Sequence, residues 1–119
     1  MPFTVERREP GVYFLAWEGA ITRDELLKFI EVRIALGKQH GDTNYVLIID
    51  LSNATMREFD IRTSRNAIED PDLLAIFVIN PSVIIQTLIN MLRQLTRKPI
   101  EICANYEEAI QKAHEALSR

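Results

Sequence analysis

The chain is predicted to fold as an α/β domain with a mixed sheet, a mostly parallel core and helices covering the sheet. Val46–Ile49 is an unbroken apolar run that lacks helical spacing and is too short to span a membrane. Such a run is typical of a strand buried on both faces. After an opening hairpin, apolar runs alternate with amphipathic segments, which indicates parallel strands connected by helices. The predicted order is β-β-α-β-α-β-α-β-α.

Two strands joined by a tight turn open the chain. Phe3–Arg8 alternates apolar and polar residues with a period of two, as a half-exposed strand does. Glu9–Gly11 contains the proline and glycine of a turn. Val12–Trp17 is more apolar, so it is predicted to be a more deeply buried strand that completes an antiparallel hairpin.

The first helix begins with a capping box, in which Thr22 caps the helix and Glu25 reaches back. It is predicted to end near Gly37 or Gly41. One apolar stripe is expected to face the core: Leu26, Leu27, Ile30 and Ile34. A second stripe is expected to lie well round the helix, where a partner would reach it: Phe29, Val32 and Leu36.

The remaining elements follow from caps, breakers and apolar periodicity. Asp60 is predicted to cap a short helix that Pro71 closes. Asn105 and Glu108 form a second capping box, at the start of the last helix. The other predicted elements are the strand Tyr45–Asp50, the strand Leu74–Ile79, a helix from Val83 to about Thr96, and the strand Ile100–Ala104.

A polar segment follows the central strand. Asp50 ends the predicted strand, and Ser52, Asn53 and Thr55 are expected in a loop behind it. Binding residues of parallel sheets lie at the carboxyl ends of the strands, so this edge is the predicted functional edge. The alternative is an ordinary turn in which Asp50 bonds to its own backbone.

The predicted helix from Val83 has more apolar residues than an ordinary surface helix. At 100° per residue its apolar side chains, Ile85 and Ile89 among them, cover an arc of roughly 160°, whereas a stripe near 100° suffices for packing. The opposite face is mostly uncharged. These features predict a contact surface or an apolar pocket beside the sheet, or else deep burial under loops.

Composition narrows the function classes. The chain has 119 residues, which fits one domain, and a net charge of −3, which argues against nucleic-acid binding. The single cysteine, Cys103, excludes an internal disulfide and indicates a reducing compartment. No apolar leader or spanning segment is evident, so a cytoplasmic protein is expected.

Catalytic and cofactor motifs are not evident. His40 and His114 lack partners at metal-ligand spacing, and the glycines form no phosphate loop. A nucleophile elbow of the Gly-x-Ser-x-Gly type is missing. The chain is therefore predicted to be no enzyme, with no metal and no cofactor.

Several motifs resemble those of one family. Trp17–Gly19 leads from the hairpin into a capped helix, the buried strand ends in Asp50–Ser52, and Tyr106–Ala109 follows the last strand. Together with the element order, these resemble STAS domains, in particular the small stand-alone SpoIIAA-like proteins related to anti-sigma-factor antagonists. The resemblance implies signalling through protein contacts, with an anti-sigma factor or sensor kinase as the class of partner, and no catalysis.

The chain departs from that family at the phosphorylated position. Phosphorylated members carry an Asp-Ser pair where this chain has Glu58–Phe59, so the usual acceptor hydroxyl is missing. The remaining candidate acceptors are Ser52, Thr55, Thr63 and Ser64. The alternative is that these hydroxyls serve only in loops and caps.

The predicted function is a non-enzymatic regulatory module that binds another protein and also forms a homodimer. Arg57, Arg62 and Arg65 around the short helix suit an acidic partner or phosphate, or else form a solvated face. The predicted partner-binding residues are Phe29, Val32, Leu36, Asp50, Ser52, Asn53, Arg62, Arg65, Ile85 and Ile89. The alternative function is a small apolar-ligand, lipid-like binding protein, with the Val83 helix as one wall of its pocket.

Overall fold

A computed structural model describes residues 2–56 and 60–119 of the chain. Its elements have the predicted order. They are β1 (Phe3–Glu9), β2 (Val12–Ala20), α1 (Arg23–His40), β3 (Tyr45–Thr55), α2 (Ile61–Ile68), β4 (Leu73–Ile79), α3 (Val83–Leu95), β5 (Ile100–Cys103) and α4 (Tyr106–Leu117).

The five strands form one sheet in the spatial order β1-β2-β3-β4-β5. β1 pairs with β2 antiparallel, as the hairpin predicts, and every other pairing is parallel. β3 lies at the centre, where Val46 is paired with Val12 on one side and with Ala75 on the other. The prediction of a mixed sheet with a mostly parallel core is confirmed.

Helices cover both faces of β3. Leu47 belongs to the larger core, which α1, α2 and α3 cover, whereas Val46 and Ile48 belong to a second core under α4. Val46 and Ile48 are 0% exposed and Leu47 is 1% exposed. Full burial of one such side chain contributes about 1.5–3 kcal/mol. The predicted two-sided burial of this strand is therefore confirmed.

β3 is longer than predicted, because it continues through Asp50 to Thr55. The sequence predicted a loop for Ser52, Asn53 and Thr55, and this prediction was wrong. After an irregularity in the ladder, β2 extends alongside, with Asn53 opposite Glu18 and Thr55 opposite Ala20. The neighbouring strand supplies backbone partners that the polar composition of this segment does not reveal.

The orientation of α1 also differs from the prediction. Phe29 is only 2% exposed, and its ring meets that of Phe3 edge-on, with centroids 6.1 Å apart. Val32 and Leu36 are half-buried against the same core. Leu27 and Ile34, predicted to face inward, are exposed instead. The large Phe29 ring occupies the central core position, while Leu26 and Ile30 of the predicted inner stripe remain half-buried against the same core.

A hydrogen-bonded carboxylate joins the hairpin to the start of β3. Arg7 Nε donates to Asp42 Oδ2 at 3.0 Å, and the Tyr13 hydroxyl donates to the same oxygen at 2.7 Å. These two hydrogen bonds hold the pKa of Asp42 below its ordinary value of 3.8, and the bond from Arg7 has the larger effect. The pKa of Tyr13 is raised to about 12, mainly by burial and secondly by the hydrogen bond to Asp42.

Two glycines at the end of α1 are predicted to respond oppositely to alanine. Gly37 is helical, and a Cβ there meets no atom within 4 Å, so Gly37→Ala should raise the free energy of unfolding by about 0.5–1 kcal/mol. Gly41 has φ +67° at the C-cap, so Gly41→Ala should lower it by about 1–2 kcal/mol. Urea denaturation measures both. Stabilisation by Gly41→Ala would contradict the left-handed cap.

Replacing Asp42 with asparagine should lower the free energy of unfolding by about 1–2 kcal/mol at pH 7, because the Arg7 bond loses its charge. The folded pKa of Asp42 is lowered, so its contribution is present above about pH 4 and is lost as the pH falls through the folded pKa. Urea denaturation of the native chain and of Asp42→Asn should show that the difference between their free energies of unfolding shrinks from pH 7 to pH 3. The exposed Asp24→Asn is the control, and an equal effect there would contradict the assignment.

Candidate functional site

The predicted functional edge carries a small cluster of polar side chains. Asp50 Oδ1 accepts hydrogen bonds from the Ser52 amide at 3.0 Å and from the Ser52 hydroxyl at 2.6 Å. Asn80 Nδ2 lies 3.5 Å from the same hydroxyl oxygen. The Asp50 carboxylate is thus satisfied locally, by a residue two positions later in the same strand, and not in the turn that the alternative interpretation expected.

Asn80 is a member of this edge that the sequence analysis did not single out. It follows the last residue of β4, Ile79, which pairs with Asp50 across the ladder. Asn80 has φ +48°, in the left-handed region that asparagine tolerates better than most residues. Its position directly behind a buried parallel strand was the available signal, because the carboxyl ends of such strands share one edge.

α2 begins as predicted at Asp60. Asp60 accepts from the Thr63 amide at 2.9 Å and from the Thr63 hydroxyl at 2.7 Å. These bonds lower the pKa of Asp60, and the bond from the Thr63 amide has the larger effect. An ionised carboxylate at this position also suits the positive end of the helix.

The four candidate phosphoacceptors differ in accessibility. Thr63 and Ser64 are each 6% exposed, because they lie on the inner face of α2. A kinase does not reach them in this fold, which counts against both candidates. Ser52 and Thr55 are exposed. Arg57 and the family's acceptor position, Glu58–Phe59, lie outside the described residues.

The outer face of α2 presents both predicted arginines to solvent. Arg62 and Arg65 are exposed, and Arg65 Nε lies 3.0 Å from Glu69 Oε1 one turn later. An open groove of about 460 Å³ runs between α2 and α3, and both arginines line it together with Leu95. Positive charge and an apolar side chain therefore share one surface.

α3 turns a different part of its apolar arc outward than predicted. Ile85 and Ile89, predicted to bind a partner, are buried against the sheet. Ile84 is 51% exposed, Met91 44% and Leu95 46%. These three residues, spaced i, i+7 and i+11, form the apolar stripe of α3. The α2–α3 surface is defined here as this stripe together with Arg62 and Arg65.

A small apolar cavity lies behind the buried face of α3. Its volume is about 100 Å³, and Ile85, Ile89 and Leu92 line it together with side chains of α1, α2 and the sheet. Pockets for small molecules usually measure about 300–1,000 Å³. The space is therefore far smaller than a lipid-like ligand requires.

Within residues 2–56 and 60–119, no group of three or more His, Cys, Asp or Glu side chains is arranged to hold a metal ion. The helices in these ranges are also too short or too polar to cross a bilayer. Cys103 is buried, and burial raises the pKa of its thiol, which favours the unreactive protonated form.

No protein-family model and no curated protein matches the chain. Solved structures do. One is the anti-sigma factor antagonist SpoIIAA in its unphosphorylated form, at 14% identity and a TM-score of 0.59, covering 94% of this chain and 97% of that chain. Another is the Bacillus cell fate determinant SpoIIAA in the phosphorylated form, at 14% identity and a TM-score of 0.63, covering 92% of this chain and 97% of that chain. The chain thus has a SpoIIAA-like STAS fold, as its sequence motifs predicted.

Proposed function

We propose that the protein is a non-enzymatic regulatory module that acts by binding another protein through the α2–α3 surface. The observation that carries the proposal is the exposed apolar stripe of α3 beside two exposed arginines. Solvated helix faces are normally charged, and contiguous exposed apolar side chains rimmed by polar groups are typical of protein contact sites. The stripe supplies area that a partner buries.

The fold supports the regulatory part of this proposal. A structure with the same architecture over nearly its whole length is an anti-sigma factor antagonist. The partner class we propose is accordingly an anti-sigma factor or a sensor kinase in the cytoplasm. It should offer an apolar anchor for Met91 and Leu95 and acidic side chains for Arg62 and Arg65, which would orient the encounter and raise its rate.

The proposed binding does not depend on phosphorylation at the family's usual position. The sequence places Glu58–Phe59 there, and neither residue offers a hydroxyl. If the activity is switched by phosphate, the exposed hydroxyls Ser52 and Thr55 are the acceptors that fit, because Thr63 and Ser64 are buried.

The apolar-ligand alternative receives less support. It requires a closed pocket of a few hundred Å³ beside Ile85 and Ile89, whereas the space there measures about 100 Å³. The apolar residues that α3 has in excess lie on its outer face rather than around a large internal pocket. An outward apolar face suits a macromolecular contact better than an enclosed ligand.

Replacing Met91 with glutamate should weaken partner binding at least tenfold, because a charge would be buried in the apolar contact. Affinity capture from the native cell with mass spectrometry identifies the partner, and calorimetry with purified proteins then measures its affinity. Gln94→Glu is the matched control, since Gln94 is exposed on the same helix but lies off the stripe. Equal loss in both variants, or none in Met91→Glu, would contradict the proposed surface.

We also propose self-association through the outer stripe of α1. Leu27 and Ile34 are exposed two turns apart on an 18-residue helix, so two copies could pack this stripe isologously. Sedimentation velocity should show a dimer at high protein concentration for the native chain. Leu27→Glu should shift it to monomer. Gln39→Glu should not, since Gln39 is exposed about 120° round the same helix from Leu27. A strict monomer of the native chain would refute self-association.

A further inference from the structure

The groove between α2 and α3 continues beyond the end of α2. A second open space of about 450 Å³ adjoins the space of about 460 Å³ described above. Three residues line both: Arg65, Glu69 and Leu95. Residues 96–98, which follow α3, line only the second space. The two spaces therefore form one continuous surface channel, called the α2–α3 groove below.

The two walls of the groove are helices that run in the same direction. Each connects one parallel strand to the next, so both run from the carboxyl edge of the sheet to its amino edge. α2 has 8 residues and α3 has 13, which correspond to lengths of about 12 Å and about 20 Å. The groove is therefore long enough for about three to four turns of a further helix.

The groove is positive, although the whole chain has a net charge of −3. The cations that line it are Arg62, Arg65, Arg97 and Lys98, and the carboxylates that line it are Glu69 and Asp70. A surface channel lined mostly by one sign of charge attracts groups of the opposite sign and raises their local concentration. The charge of the groove thus favours an acidic occupant.

Two of these cations are available to a partner. Arg62 and Arg97 are exposed, and neither forms an ion pair with a carboxylate among residues 2–56 and 60–119. Lys98 is engaged within the fold, because its Nζ donates to the backbone carbonyls of Asp70 and Leu73. Arg62 and Arg97 are therefore the cations that an incoming carboxylate meets without displacing an existing contact.

Glu69 competes with an acidic occupant for Arg65. Its Oε1 lies 3.0 Å from Arg65 Nε, and close to half of each side chain is exposed. An exposed ion pair between residues one helical turn apart is weak. A carboxylate of the partner therefore replaces Glu69 at little cost.

Apolar side chains lie among these charges. Leu95, in the last turn of α3, is 46% exposed, and Ile61, in the first turn of α2, is half-buried. An amphipathic helix meets such a groove with apolar residues three and four positions apart and with polar residues beside them. A basic helix would bring like charges to Arg62 and Arg97, whereas an acidic helix pairs with them.

From these observations we infer that the segment of the partner that enters the α2–α3 groove is an acidic amphipathic helix. Its apolar side chains pack against Ile61 and Leu95. Its carboxylates pair with Arg62, Arg65 and Arg97. This inference rests on the proposed function and specifies the chemistry of the partner at the same surface.

Three synthetic peptides of about 14 residues test the charge of the occupant. All carry leucine on one helix face, and their other positions are glutamate, glutamine or lysine. Fluorescence anisotropy of each labelled peptide with the full chain at pH 7 measures its affinity. The glutamate peptide should bind at least tenfold more tightly than the other two. Equal or tighter binding of the glutamine or lysine peptide would overturn the acidic assignment, and no binding of the glutamate peptide would overturn the inference.

Charge reversals locate the binding in the groove. Arg62→Glu and Arg97→Glu should each weaken binding of the glutamate peptide roughly threefold, and the double variant roughly tenfold. Lys28→Glu is the matched control, because it makes the same change of net charge at an exposed position of α1. Circular dichroism establishes that each variant is folded. An equal loss in Lys28→Glu would attribute the binding to net charge and would refute the groove.

Removing the competing carboxylate should have the opposite effect. Glu69→Gln releases Arg65 and should tighten binding of the glutamate peptide roughly twofold. Glu31→Gln, at an exposed position of α1, makes the same change of net charge and should leave the affinity unchanged. Weaker binding by Glu69→Gln, or an equal gain in Glu31→Gln, would contradict the proposed pairing with Arg65.

Failure of this inference and failure of the proposed function give different results. Binding of the native partner that Met91→Glu weakens, but that Arg62→Glu and Arg97→Glu leave unchanged, would retain the contact surface and reject the acidic helix. Native-partner binding that none of these variants changes would reject both. Losses in all three variants, together with preference for the glutamate peptide, are the results expected.

Discussion

Burial of β3 on both faces is the constraint on which the rest of the structure depends. Val46, Leu47 and Ile48 alternate between two separate cores, so each face of the sheet requires a helical cover. Parallel neighbours on both sides require crossover connections, which the helices supply. One short apolar run thus determines the layers of the fold.

The two faces are covered unequally, and this inequality creates the exposed surface. Among the described residues, one core lies under α4, whereas α1, α2 and α3 share the other, with α2 in contact with both of its neighbours. α3 lies at the side of this layer, so only part of its wide apolar arc reaches the sheet. The remainder, Ile84, Met91 and Leu95, faces solvent beside the arginines of α2. The candidate contact surface is therefore a consequence of having one helix with more apolar surface than its position can bury.

The two edges of the sheet also differ. At the carboxyl edge Asp50 Oδ1 accepts from the Ser52 amide and hydroxyl, and Asn80 lies beside the same hydroxyl. At the amino edge the Tyr13 hydroxyl donates to Asp42 and the Tyr45 hydroxyl donates to Asp70. The general rule for parallel sheets directs attention to the carboxyl edge. In this protein a cleft of about 300 Å³ lies at the other edge, because the C-terminal half of α1 lies over the strand starts there.

The sequence by itself determined the element order, the hairpin, the helix caps at Thr22, Asp60 and Asn105, and the central buried strand, because each depends on periodicity or on local backbone chemistry. Tertiary structure decided which stripe of each helix faces inward. Phe29 and Ile89 became core residues while Ile34 and Met91 became exposed, since adjacent apolar stripes on one helix have nearly equal affinity for a core. It also decided the length of β3, which the partner strand β2 extends, and the cleft beside the C-terminal half of α1. These features arise from contacts between segments far apart in the chain, which local pattern does not encode.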